Sequence, residues 1–225
     1  MIPKLKITFV LILCIISLIC FSLVATYIQG QRIAQFDHNV ISLIQGMESP
    51  GLTLLMKVFT FIGSTPIVVV IALSAILFLY FVLHHRFELI FFISIVAGTG
   101  IINLLLKLYF ARQRPDLHRL IQETGYSFPS GHSMEAFALY SSLAFLLWRH
   151  LSTRIARSVI IIICSMMIII IGISRIYLGV HYPSDVIGGY LASGVYFTLG
   201  VWLFQWYKEY RAYSKKVKQN PPNRT

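Results

Sequence analysis

Residues 89–107 read LIFFISIVAGTGIINLLLK, a run without a charge that ends on a lysine. A bilayer core of about 30 Å is crossed by about 20 residues at a rise of about 1.5 Å each, so this stretch reads as a membrane-spanning helix. Four further uncharged blocks of similar or greater length occupy residues 7–31, 58–85, 158–174 and 186–207. The whole chain has 225 residues, of which 57% are hydrophobic and 12% charged. Its mean hydropathy is +0.76. Ordinary soluble domains carry about 25% charged residues, so the composition excludes both a soluble domain and a disordered chain. Cys14, Cys20 and Cys164 lie inside apolar blocks, at no metal-ligand or disulfide-framework spacing, and read as small buried hydrophobes.

Six helices are predicted, at about 7–28, 54–83, 88–108, 131–148, 157–175 and 184–206. The second is interrupted at Gly63-Ser64-Thr65-Pro66. The fourth carries the weakest signal, because only residues 136–148 are uncharged. Its first turn must therefore include His132 and Glu135, and a charge there must face protein or water rather than lipid. The first apolar stretch, about 22 residues, is too long for a signal-peptide core of about 7–15 and reads as a retained span. The expected fold is an all-α membrane protein, a six-transmembrane-helix bundle. Residues 1–206 form a single membrane-embedded domain in this reading, and 207–225 a basic, mobile cytoplasmic tail. Residues 33–45 place Ile33, Phe36, Val40, Leu43 and Ile44 on one helical face. That fits a short helix lying flat on the outer interface, or one packed on the bundle.

Lysine and arginine placement sets the expected orientation. Twelve of the 19 fall on the side that holds both termini and the loops 84–88 and 149–157. Both termini are therefore expected in the cytoplasm, and the loops 29–53, 109–130 and 175–184 outside. Trp148, Trp202 and Trp206 then gather at the inner helix ends as interface anchors. The net charge of +11 reads as a topology and lipid signal rather than as a nucleic-acid surface.

Polar residues gather at one depth on the outer side. Lys107 ends the third helix and is followed by Arg114-Pro115. Pro129-Ser130-Gly131-His132 opens the fourth. Ser174-Arg175 ends the fifth, and His181 and Asp185 open the sixth. Lys107, Arg114 and Arg175 supply three fixed cations, suited to an anion with several oxygens. Ser130 and Gly131 stand at a helix N-terminus, where unpaired amides favour a phosphate. Asp185 follows His181 by four residues, so both can lie on one face of a first helical turn. The carboxylate can hold the proton of one ring nitrogen and leave the other bare and nucleophilic. His132 has no acid at this spacing, and beside a bound phosphate it is expected to be protonated and able to donate. A nucleophile, its orienter, an acid and an anion cradle describe phosphoryl transfer. His38, His84, His85, His118 and His150 lie outside this pattern and read as ordinary histidines.

Here the chain resembles the type 2 phosphatidic acid phosphatase family of integral membrane lipid phosphatases. The family signature K-x6-RP, PSGH and SR-x5-H-x3-D is met by Lys107-x6-Arg114-Pro115, Pro129-Ser130-Gly131-His132 and Ser174-Arg175-x5-His181-x3-Asp185 without departure. The resemblance implies a phosphohistidine intermediate and no metal or other cofactor. By position, it makes His181 the nucleophile, Asp185 its orienter and His132 the general acid. Lys107, Arg114, Ser130, Gly131 and Arg175 become phosphate ligands. Small size and a short first outer loop make the chain look most like bacterial members, which act on phosphatidylglycerophosphate and undecaprenyl diphosphate. The expected partner is a lipid phosphate in the cell membrane, met at an extracytoplasmic active site.

Glu135, one turn after His132, has two readings: a substrate-side group, or a helix-start carboxylate favoured by the dipole. The Gly63–Pro66 break can line the cavity. A lipid or ion transporter is the competing function. It is disfavoured because the charges collect at one face and no internal repeat is present.

Overall fold

The computed structural model describes residues 4–81, 86–116 and 118–219. His84, His85 and the Pro221-Pro222 end of the basic tail lie outside the described residues. Among the described residues all regular structure is helical: α1 (Lys4–Gln29), α2 (Ala34–Gln45), α3 (Pro50–Ile62), α4 (Thr65–Phe81), α5 (Arg86–Phe110), α6 (Gly131–His150), α7 (Arg154–Tyr177) and α8 (Pro183–Gln219). α1, α5, α7 and α8 are each long and apolar enough to cross a membrane. α3 and α4 pass the same test as a pair, bent by 53° at the expected break, which makes five candidate spans.

The helix ends follow local chemistry. Ser49 caps α3, accepting from the Leu52 amide at 3.4 Å, and Pro50 takes the position where a missing N–H costs nothing. Thr153 caps α7 through the Ala156 amide at 3.2 Å. At the break, a Cβ on Gly63 would meet Ile171 Cγ2 at 2.5 Å, so the glycine lets the end of α3 press against α7, while α4 turns away to pack on α5 and α6.

α6 explains its own weak hydropathy. It packs against α4, α5, α7 and α8, and Ser133, Ala136, Ala138, Leu139 and Ser142 are all buried. A helix enclosed by protein needs small residues for close approach rather than a lipid-facing apolar coat. Around it, Phe91, Phe92, Ile95, Leu139, Ile171, Val201 and Phe204 belong to one apolar core. α1 packs on α8 and meets this core through Val10.

At the end of the bundle away from the motifs, buried Glu88 pairs with Arg149 at 3.2 Å and His150 at 2.7 Å, tying α5 to α6. At the motif end, α2, α3 and the 111–130 loop close over the end of α7. Met56, Tyr177, Leu178 and Val180 form a second buried cluster there, with Ile44, Leu52, Leu120 and Ile121 packed on it.

One expectation is corrected: α8 does not stop near residue 206 but continues as a helix to Gln219. α2 forms where the sequence placed a short helix; Asp37 and Ile41 are buried, Ile44 packs on the second cluster, and Phe36 and Leu43 are exposed.

Candidate active site

The site is assembled at the motif end of α5, α6, α7 and α8. His181 belongs to the short connection between α7 and α8, just before the helix begins at Pro183. The expectation that His181 and Asp185 share a helical turn is therefore corrected: Asp185, in the first turn, reaches back across the helix start. Its Oδ2 lies 3.4 Å from His181 Nδ1 and accepts from the Tyr182 amide at 2.8 Å. On the other side of the ring, Arg114 Nη1 lies 3.1 Å from His181 Nε2. A guanidinium can only donate, so Nε2 must be the acceptor and the ring proton must sit on Nδ1, facing Asp185. Burial pushes the His181 ring down to about 4, against the opposing pull of Asp185. At neutral pH the residue is thus uncharged, with Nε2 as its bare nitrogen.

The cations surround that nitrogen. Arg175, at the end of α7, is 1% exposed. Its Nη1 donates to Thr60 on α3, and its Nη2 donates to Glu123 at 2.5 Å. Its Nε is buried and, among the described residues, has no hydrogen-bond partner. An orphaned donor of this kind calls for a ligand acceptor. Arg114 is held by the Thr124, Gly125 and Val180 carbonyls at 3.0, 3.0 and 2.9 Å, which fixes its fork over the site. Lys107, at the end of α5, interacts electrostatically with Arg114, Glu123, Arg175 and Asp185.

The PSGH segment supplies the fourth wall. Ser130 caps α6; its oxygen accepts from Ser133 Oγ at 2.9 Å and from the Ser133 amide at 3.4 Å, leaving its own O–H to donate. The Ser130 amide is committed to the Asp185 carbonyl at 3.1 Å. That leaves the Gly131 and His132 amides, which have no carbonyl of a preceding helical turn to pair with. A Cβ on Gly131 would come within 3.1 Å of Asn103 Oδ1, so a larger residue would crowd the wall. His132 shares the same field as Arg175, His181, Lys107 and Arg114. All eight residues singled out from the sequence thus come to one end of the bundle.

Five further residues were not singled out. Asn103 donates from the centre of the α5 signal to the Pro129 carbonyl at 3.1 Å and braces the PSGH turn. Thr60 and Glu123 hold Arg175. Arg112 reaches Asp185 from the loop, and Asp37 on α2 pairs with Arg112 in turn. Asn103 was detectable, being an amide inside an apolar span. The others sit in loops or on helix faces where a polar residue is ordinary. Glu123 is notable chemically: its carboxylate lies 2.5 Å from Arg175 and 3.9 Å from Arg114. Burial acts to raise its pKa, but the Arg175 charge and hydrogen bond outweigh this and hold it below the usual carboxylate range. A negative group thus already lies between two of the cradle's cations. Among the described residues, no cluster of three or more His, Cys, Asp or Glu could hold a metal ion.

A buried histidine set beside three cations is an arrangement suited to phosphoryl transfer, and it sits in a helical protein with several candidate membrane spans. The sequence profile of the PAP2 superfamily matches residues 87–210, and the chain belongs to that superfamily. It is 30% identical to phosphatidylglycerophosphatase B of Bacillus subtilis over 91% of this chain and 98% of the relative. It is 31% identical to a putative undecaprenyl-diphosphatase, YbjG, of Escherichia coli over 59% of this chain and 65% of that one. The crystal structure of the Bacillus subtilis transmembrane PAP2-type phosphatidylglycerolphosphate phosphatase superposes with a TM-score of 0.73 at 27% identity, covering 87% of this chain and 96% of that one. The Aquifex aeolicus LpxE structure shares the fold, with a TM-score of 0.57 at 24% identity over 73% and 93% of the two chains.

Because Glu123 competes for the cradle, Glu123→Gln is expected to tighten vanadate binding roughly fivefold, the effect of removing one partly screened like charge. Inhibition titrations of the purified protein check this. Unchanged or weaker vanadate binding would mean that Glu123 does not occupy ligand space.

Proposed function

We propose that the chain is a metal-independent lipid phosphatase that hydrolyses phosphate monoesters or diphosphates of membrane lipids through a phosphohistidine. The observation that carries this reading is the placing of the His181 ring, with Nδ1 toward Asp185 and Nε2 toward Arg114. Substrate phosphate displaces Glu123 and takes the Arg175 Nε, the Arg114 N–H groups that face His181 and Glu123, Lys107 and the Gly131 and His132 amides. The bound dianion favours the protonated form of His132. Nε2 of His181 attacks phosphorus, the bond to the lipid oxygen breaks, and His132 protonates the departing oxygen. Water then attacks the phosphohistidine with His132 as base, releasing phosphate and restoring the ring. The cations stabilise the charge of both transition states, the work a metal ion does elsewhere.

The substrate class follows from the surroundings. An apolar groove of about 310 Å³ runs between α4, α5 and α6, lined by Val68, Ala72, Ile76, Phe92 and Val96 among others. Its polar end is Glu135, one helical turn from His132, which accepts from Thr65 Oγ1 at 3.1 and 3.2 Å. An acyl or prenyl chain fits such a groove with its headgroup at the histidines. Phosphatidylglycerophosphate, undecaprenyl diphosphate and phosphatidic acid all meet this description, and the Bacillus subtilis and Escherichia coli relatives favour the first two.

In this reading α6 joins the five candidate spans as a sixth, enclosed one. Residues 1–206 form the membrane domain, and the basic segment 207–225 lies on the cytoplasmic side with both termini. The site then faces outward. The lysine and arginine bias supports this orientation. Cysteine placed at Gln122 should react with an impermeant thiol reagent in intact cells, and cysteine placed at Lys215 should not. The reverse labelling would contradict the orientation.

Phosphate release from a panel of lipid phosphates in detergent tests the function. Activity should survive EDTA, because fixed cations neutralise the phosphate. Arg175→Lys keeps a charge but loses the fork, and should lower turnover by roughly 10²–10³-fold. No release from any lipid phosphate, or loss with EDTA that Mg²⁺ restores, would overturn the proposal.

A further inference from the structure

We propose that Arg112 and Asp37 are positioning residues of the phosphoryl-transfer reaction: Arg112 bridges two buried carboxylates, Asp185 and Asp37, and thereby orients the carboxylate that holds His181. The proposal rests on the function given above and adds residues outside the family signature.

Asp185 has no exposed surface. Its Oδ2 faces His181 Nδ1, the Tyr182 amide and the Ser127 hydroxyl. Its Oδ1 accepts from Arg112 Nη1 at 2.6 Å. Without that bond a buried anionic oxygen would be left unpaired, and the carboxylate would be free to turn away from the imidazole. Arg112 is itself fixed on three sides. Nη1 also donates to Ser184 Oγ at 2.8 Å, Nη2 donates to Asp37 Oδ2 at 2.9 Å, and the guanidinium lies 4.1 Å from the Tyr182 ring centroid. Asp37 is 1% exposed and is anchored by the Ser184 amide at 2.9 Å and its hydroxyl at 2.6 Å.

Charge gives Asp37 its purpose. A guanidinium alone would orient Asp185 but would also cancel the negative charge that the histidine needs. When Nε2 bonds to phosphorus while Nδ1 keeps its proton, the ring becomes an N-phosphorylated imidazolium. The negative charge of Asp185 stabilises that cation. Two carboxylates around one guanidinium leave the cluster with a net charge of −1 facing the ring. Asp37 therefore lets Arg112 steer Asp185 without neutralising it. The groups that face His181 from elsewhere are Arg114 and Glu123 in the loop, Arg175 on α7, His132 on α6 and, through Asp185, Lys107 on α5. The variants below leave all of them in place.

Asp37→Asn, Arg112→Lys and Arg112→Gln are compared with wild type and His181→Ala, using p-nitrophenyl phosphate in detergent. Neither residue touches the cradle, so KM and vanadate inhibition should stay within about twofold. In Asp37→Asn and Arg112→Lys, kcat should fall roughly 10–100-fold, the usual effect of losing an outer partner of a functional histidine. The pH profiles separate charge from shape. Losing the Arg112 cation makes His181 easier to protonate, so the acid limb of kcat/KM should move to higher pH in Arg112→Gln. Losing the Asp37 anion should move it to lower pH. Substrate ionisation is common to every variant and cannot produce opposite shifts. If Arg112→Gln does not fold, the near-isosteric Asp37→Asn decides. Wild-type kcat in both Asp37→Asn and Arg112→Lys would overturn the proposal. So would equal losses in kcat and vanadate binding, which general structural damage would give. If wild type turns over, His181→Ala does not, and these variants match wild type, the positioning assignment alone fails. If wild type releases phosphate neither from p-nitrophenyl phosphate nor from any lipid phosphate, the underlying function fails.

Discussion

A carboxylate that water does not reach organises the motif end of this bundle. Asp185 draws in the imidazole of His181, the guanidinium of Arg112 and the hydroxyl of Ser127, while its backbone carbonyl accepts from Ser130. An isolated buried charge is costly, and the cost is met only when every lone pair has a donor. Satisfying Asp185 therefore fixes the α7–α8 connection, the loop at Arg112 and Ser127, the start of α6 and, through Arg112 and Asp37, the short helix α2. The same contacts leave the His181 ring with one available nitrogen. Stability and chemistry here rest on a single set of hydrogen bonds.

The cradle shows the opposite condition. Arg175 is buried as deeply as Asp185, yet one of its donors has no partner and another is taken by a carboxylate from a loop. Asp185 is fully satisfied, whereas Arg175 holds unused capacity in a place where unused capacity is expensive. In the proposed reaction an incoming phosphate supplies the missing acceptors. The apolar bundle holds the cations at fixed spacing, and binding therefore requires little reorganisation of the helices.

Much of the fold was legible from uncharged runs, because a membrane imposes length and composition so strongly. The break at Gly63–Pro66 was legible from its turn chemistry. α6 read weakly because it is sheathed by other helices and never needed a lipid-facing surface. The end of α8 was misjudged, since charge begins at Lys208 while the helix continues to Gln219. In the site, motif spacing located every residue whose place is set by its own helix end. It missed Asp37, Thr60, Arg112 and Glu123, whose roles arise only when distant segments meet. Asp37 lies 147 residues from the serine it binds. On a short amphipathic helix an acidic residue reads as solvent-facing, and only the packing of α2 against α7 and α8 turns it inward.

The central claim is that His181 forms the bond to phosphorus. Rapid quenching during turnover of a ³²P-labelled lipid phosphate, followed by peptide mapping under alkaline conditions, measures this directly. The account predicts acid-labile phosphate on the peptide that contains His181, more of it in His132→Ala where hydrolysis stalls, and none in His181→Asn. Phosphate on the His132 peptide, or a His181→Asn protein that still acquires label, would contradict it.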